Sequence, residues 1–197
     1  MRSKRDMIIE AAIDTLGAHP DATLSDVAAA AAVARRTIYG HFASRAELVG
    51  AIADQAAEDL ETLMERLGSL TGKPPTDLAV LTFWTWPVAN RYRLLLSLGR
   101  HELGDQTIVR LMRPARQRTV EIVAAGQADG SFSDYLPAET IVALADNATI
   151  VILEEHNRGV VGDPAAAVST ASLMLAGADA ATATKAVDEA RRFLDIR

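Results

Sequence analysis

Between Arg5 and Gly17 the apolar residues Ile8, Ile9, Ala12, Ile13 and Leu16 fall three or four apart, the spacing of one helix face. Pro20 and Asp21 interrupt the pattern. Thr23, with Asp26 three residues on, then opens a short helix that carries Val27 and a run of alanines. After Val33 comes a second short helical stretch, Arg35 to Phe42. Ser44 follows as an N-cap, with Glu47 at the third helical position, and the spacing predicts a long amphipathic helix over 44–67. Gly68 to Pro75 holds two Gly and two Pro and marks a break in the chain. Beyond it the pattern predicts helices over 76–86 and 87–98, divided at Pro87, and a longer one over 105–125 ended by the turn-rich ADGSFSDYLP. Residues 138–156 are apolar on nearly every face. A loop at 159–164, a helix of small residues over 165–176 and a closing helix over 185–194 complete the reading. No stretch alternates with a strand's period, so the fold class is all-α.

Composition agrees with that reading. Gly and Pro are sparse, at 12 and 7 in 197 residues, and Ala is heavily used. The absence of Cys excludes disulfides, thiolate catalysis and cysteine-based zinc sites. Charged residues interrupt the first twenty positions, unlike a signal peptide, and no run reaches the length of a membrane span. A cytoplasmic location is expected. The net charge of −6 is unpromising for nucleic acid, but it is unevenly spread. Residues 1–50 balance Arg2, Lys4, Arg5, Arg35, Arg36 and Arg45 against as many acids, with the basic residues at the extreme N-terminus and at 35–45. The excess of acids lies further on.

Thr23 to Leu48 reads as a short helix, a turn of about four residues, a second short helix and a capped long helix. That is the order of a helix-turn-helix, whose second helix lies in the major groove of DNA. Arg35 and Arg36 stand at the start of the second helix, where residues approach base edges. Thr37, Tyr39 and His41 can donate to phosphates, while Ile38 and Phe42 face inward. The backbone N–H groups of Arg45, Ala46 and Glu47, beside the Arg45 side chain, offer a second phosphate seat.

At these residues the chain resembles the tetracycline-repressor (TetR) family, whose N-terminal region ends in a pattern like A-G-V-S-x-x-T-[LI]-Y-x-H-F-x-x-[KR]-x-x-L. Here it runs from Ala31 through Thr37-Ile38-Tyr39-Gly40-His41-Phe42 to Arg45 and Leu48. Ile8 to Ala12 and Asp26-Val27-Ala28 sit where the family has its first- and second-helix signatures, and AAGQADGSF is similar to a G-x-x-x-G-x-[FI] segment of many members. Two positions depart from the pattern. Ala32 replaces the turn Gly and Ala34 the usual Ser or Gly cap, each at roughly 1 kcal/mol. The resemblance implies an N-terminal three-helix helix-turn-helix DNA-binding domain, residues 1–48. It also implies a C-terminal helical ligand-binding and dimerisation domain, residues 49–197, in a homodimeric repressor released from a palindromic operator in double-stranded DNA by a small-molecule effector.

The second half supplies weaker candidates. Trp84, Trp86 and Tyr92 cluster around Pro87, and helix aromatics serve equally as core or as cavity lining. With Met112 and Asn147 they are the expected lining of an apolar or aromatic effector site. Asn147 and Glu154, seven apart on the 138–156 helix, face either that cavity or a partner subunit. The 138–156 and 165–176 helices are expected to form a four-helix bundle between two subunits. His19, His41, His101 and His156 share no metal-binding spacing, and no nucleophile or oxyanion motif is present. No metal, cofactor or catalytic residue is therefore expected. A regulator that activates or senses a protein, and a helical scaffold or enzyme with a vestigial helix-turn-helix, remain as alternatives.

Overall fold

Three of the four helices of the N-terminal region start where a small polar side chain can take up backbone N–H groups left over at a helix start. In the computed structural model, which describes residues 3–92 and 105–195 (for 105–112 the backbone only), Ser3 and Asp6 form a capping box at the head of α1, Lys4–Ala18. Thr23 and Asp26 do the same for α2, Leu24–Ala30. α3, Arg35–His41, follows after a tight turn, and α4 spans Arg45–Glu65. The remaining described helices are α5, Pro74–Arg91; α6, Asp105–Asp129; α7, Ala138–Asn157; α8, Pro164–Leu175; and α9, Ala180–Phe193. All regular structure among the described residues is helical, and no described helix is long and apolar enough to cross a membrane.

The described chain packs into two units. One comprises the residues up to Leu60 together with Val88–Tyr92. Its core joins Ile8, Ile9 and Leu16 of α1, Val27 of α2, Ile38 and Phe42 around α3, and Leu48, Val49 and Ile52 of α4. The other comprises Glu61–Pro87 and the chain from Arg113 onward. Its core joins Leu78, Val80 and Phe83 of α5, Ile122 and Val123 of α6, Ile141 and Val142 of α7, Leu173 of α8 and the small residues Ala183, Ala186 and Ala190 of α9. Within it α8 packs on both α7 and α9.

Three boundaries differ from the sequence pattern. The expected division at Pro87 is absent, because α5 runs through the proline to Arg91. A proline inside a helix costs about 3 kcal/mol. The preceding turns bury Leu78, Val80, Leu81 and Phe83, and burial of such side chains contributes about 1.5–3 kcal/mol each. The hydroxyls of Thr82 and Thr85 bond back to the carbonyls of Leu78 and Leu81, both at 2.9 Å. The remainder of the expected 87–98 helix lies outside the described residues. α6 continues past Ala125 to Asp129, since Gly126 is a packing glycine inside the helix rather than a stop. The Phe132 ring lies so close that a Cβ on Gly126 would come within 2.2 Å of it. The helix ends instead at Gly130, whose φ is +80°. α9 begins at Ala180, five residues before the expected start, with the Asp179 carboxylate accepting from the Thr182 N–H at 2.7 Å.

Candidate nucleic-acid interface

α3 is only seven residues long, so it depends on its neighbours for shape. The turn that delivers it is a Schellman motif at the end of α2: the Val33 N–H donates to the Ala28 carbonyl at 2.9 Å, and the Ala32 N–H to Ala29 at 3.1 Å. That motif needs a left-handed residue, and Ala32 supplies it with φ +53°. Ala34 then caps α3 in an extended conformation without any side-chain bond, as its lack of a polar atom requires. Ile38 and Phe42 are both buried to within 1% of full enclosure and hold the helix to the first core.

The rest of α3 faces outward. Arg35, Arg36, Tyr39, Gly40 and His41 are exposed, and Thr37 is half-buried. Tyr39 is 48% exposed although aromatic, so its ring does not serve the core. Arg35 and Arg36 take part in no ion pair among the described residues. Five of the six side chains expected to meet DNA therefore lie on one short helix.

The sixth, Arg45, is engaged in a way the sequence pattern did not reveal. Its guanidinium donates to the carbonyl of Ala22 at 3.1 Å and also to that of Pro20, bracing the α1–α2 loop. The start of α4 differs as well. Ser44 Oγ accepts from the Glu47 N–H at 3.2 Å, and the Glu47 carboxylate accepts from the Ala43 N–H at 2.6 Å. This cap occupies one of the three backbone donors expected to seat a phosphate. A further cation does stand near α3: the Arg5 guanidinium lies over the Phe42 ring, 5.4 Å from its centroid.

The expected effector residues have different immediate surroundings. Tyr92 is buried in the first core, and its hydroxyl donates to Asp59 at 2.6 Å. Burial and that carboxylate together push the phenol well above its ordinary range. Trp84 and Trp86 belong to the second unit, both half-buried, and the Trp84 indole N–H donates to the Leu63 carbonyl at 3.0 Å. Asn147 is exposed and its amide donates to the Ala143 carbonyl of its own helix at 2.7 Å. The Met112 side chain lies outside the described residues. The second unit does carry an open recess of about 170 Å³ beside Leu70, Pro74, Asp77, Arg118 and Ile122. It contains none of the expected residues and is smaller than a typical ligand site. Asp77 there is already bonded to Thr71 and Gly72, and Arg118 to Glu121.

Residues 8–52 match the family model described as bacterial regulatory proteins, tetR family. A stretch of 76 residues is 36% identical to the HTH-type transcriptional repressor LfrR of Mycolicibacterium smegmatis, but it covers only 39% of this chain and 39% of that protein. The fold extends further. The TetR family protein CprB from S. coelicolor A3(2) superposes with a TM-score of 0.73 over 98% of both chains at 17% identity. RolR, solved in complex with resorcinol, gives 0.58 over 96% of this chain and 93% of its own at 15% identity. Residues 8–52 thus match the tetR family's model in sequence, and nearly the whole chain is similar in fold to a TetR family protein.

Proposed function

We propose that the chain is a cytoplasmic, homodimeric transcription repressor that reads a palindromic operator with α3 and releases it on binding a small apolar or aromatic effector. The observation that carries this reading is α3 itself. Two buried side chains anchor it, and Arg35, Arg36, Tyr39 and His41 offer charge or hydrogen-bonding capacity to solvent, with Thr37 half-buried beside them. Residues 1–48 do the reading. Arg35 and Arg36 approach base edges, while Thr37, Tyr39 and His41 hold phosphates. Arg45 contributes through the α1–α2 loop that it braces. Titration of a duplex from upstream of the chain's own reading frame tests this. Arg36→Ala should relax sequence preference, and Tyr39→Phe should weaken binding. Parental binding by both variants over a range of salt removes α3 from the interface.

Residues 49–197 carry the dimer and effector functions. On α7, Leu144, Asn147, Val151 and Glu154 recur on one exposed stripe, with Leu144 43% and Val151 57% exposed; on α8, Met174 is 53% exposed. Apolar side chains repeated on one helix face favour a second copy, and a two-fold dimer matches a palindromic site. Asn147 and Glu154 accordingly face the partner. Light scattering should give twice the chain mass of 21.0 kDa, and Val151→Glu should return it to the monomer. A parent that is monomeric at micromolar concentration removes the dimer. Half-buried Trp84 and Trp86, with the resorcinol complex of RolR as a fold neighbour, support an aromatic effector. Release of DNA requires different effector affinities in the two states. An effector that lowers operator affinity should quench Trp emission, and equal binding by Trp84→Ala and Trp86→Ala would place its site elsewhere.

A further inference from the structure

The proposed DNA contacts come from α3, with Arg45 acting through the α1–α2 loop, and the basic start of α1 has no part in them. Arg5 is exposed, yet it is not loose: its guanidinium carbon stands 5.4 Å from the centroid of the Phe42 ring. Phe42 is the C-cap of α3. Its N–H donates to the Ile38 carbonyl at 2.8 Å, and its side chain is 1% exposed. The exposed His41 ring lies 6.4 Å from the same ring. One buried aromatic thus holds an α1 cation beside the last turn of the helix assigned to DNA. A cation held over an aromatic uses the flat face of the guanidinium, which leaves its in-plane N–H donors available. Those donors have the geometry of a bidentate phosphate contact. No ion pair among the described residues involves Arg5. The neighbouring Asp6 carboxylate accepts from the Ser3 N–H at 2.9 Å, as part of the α1 capping box.

We infer that Arg5 is a DNA-phosphate contact, pre-positioned by Phe42 so that the start of α1 follows the backbone beside the groove that α3 enters. This rests on the DNA reading of α3. Ordering a free arginine side chain on binding costs conformational entropy, and the Phe42 platform removes much of that cost in advance.

The test compares parent, Arg5→Gln and Arg5→Lys on two duplexes of about three helical turns, one from upstream of the reading frame and one of scrambled sequence. Affinity is measured from about 50 to 200 mM salt. Each phosphate contact contributes about 0.9 to the slope of log affinity against log salt, so the parent's advantage over Arg5→Gln should shrink about 3.5-fold across that range. The change should be the same on both duplexes, and Arg5→Lys should restore the parental slope. A residue that only supports the fold lowers affinity alike at every salt concentration. An Arg5→Gln variant with the parental slope therefore overturns the assignment while leaving the DNA reading intact. A slope that flattens on the upstream duplex alone overturns it in favour of base contact. A parent that binds neither duplex overturns the DNA reading of α3, and Arg5 falls with it.

Discussion

Ala32 is the position at which the sequence works against its own turn, and reversing it gives a measurable effect. Its φ of +53° closes the Schellman motif between α2 and α3. An L-residue in the left-handed region is disfavoured by roughly 1–2 kcal/mol, and glycine escapes that penalty. Ala32 is exposed, so removing its methyl takes nothing from the core. Against the gain stands the extra freedom of glycine in the unfolded chain, about 0.4–1 kcal/mol. The expected net effect of Ala32→Gly is a stabilisation of about 0.5–1 kcal/mol. Trp emission cannot follow it, since both tryptophans lie in the other unit. Amide hydrogen exchange of peptides spanning α2 and α3 can. Exchange there should slow by about 2- to 5-fold, with peptides from α7 to α9 unchanged. Unchanged or faster exchange across α2 and α3 would refute the claim that the left-handed alanine is strained.

Three further outcomes follow from particular contacts. Gly126→Ala sets a methyl against the Phe132 ring, at 2.2 Å from its nearest atom, and should lower the urea midpoint followed by Trp emission, by about 1–3 kcal/mol in stability. Tyr92→Phe removes the hydroxyl that donates to Asp59 and should cost about 1 kcal/mol in the first unit while leaving effector affinity unchanged. The opposite result would return Tyr92 to an effector site. Bonds from the Thr23 backbone N–H and hydroxyl hold the Asp26 carboxyl below its ordinary value. A depressed carboxylate contributes stability above its unfolded value, near 3.9, and loses it as pH falls through the folded value. Asp26→Asn should therefore speed exchange in α2 at about pH 6 and should differ little from the parent well below that window.

Helix positions were legible wherever a cap and a periodic apolar stripe coincided. Thr23 with Asp26, Ser44 with Glu47, and the run from Ile8 to Leu16 all announce themselves locally. What escaped is of three kinds. Alanine carries little hydrophobic contrast, so the first turns of α9, which bury Ala183 and Ala186, had no visible stripe. Pro87 and Gly126 are local breakers retained by long-range packing, through the buried run Leu78–Phe83 in one case and the Phe132 ring in the other. The partners of polar side chains also depend on distant chain. Nothing near Arg45 indicates that it turns to Pro20 and Ala22, and nothing near Tyr92 indicates Asp59. The motif at 37–42 was legible because its constraints are local: Ile38 and Phe42, four apart, turn inward while Tyr39 and His41 stay exposed.

The acidic charge of the chain and its DNA reading are reconciled by where the N-terminal acids are held. Asp6 and Asp26 complete capping boxes at the heads of α1 and α2, and Glu47 caps the start of α4. A carboxylate in that position is offset by the partial positive charge of the helix N-terminus, so its repulsion of a phosphate is reduced at source. Glu10 is offset differently, by Arg91 at 2.5 Å. The cations Lys4, Arg5, Arg35 and Arg36 are exposed and take part in no ion pair among the described residues. Screening acts over about 8–10 Å at physiological ionic strength, so charges close to a phosphate weigh more there than the net charge of the chain. Local arrangement, and not net charge, sets the potential that DNA meets. Asp26→Asn should therefore leave the salt slope of binding unchanged, whereas Arg5→Gln should flatten it.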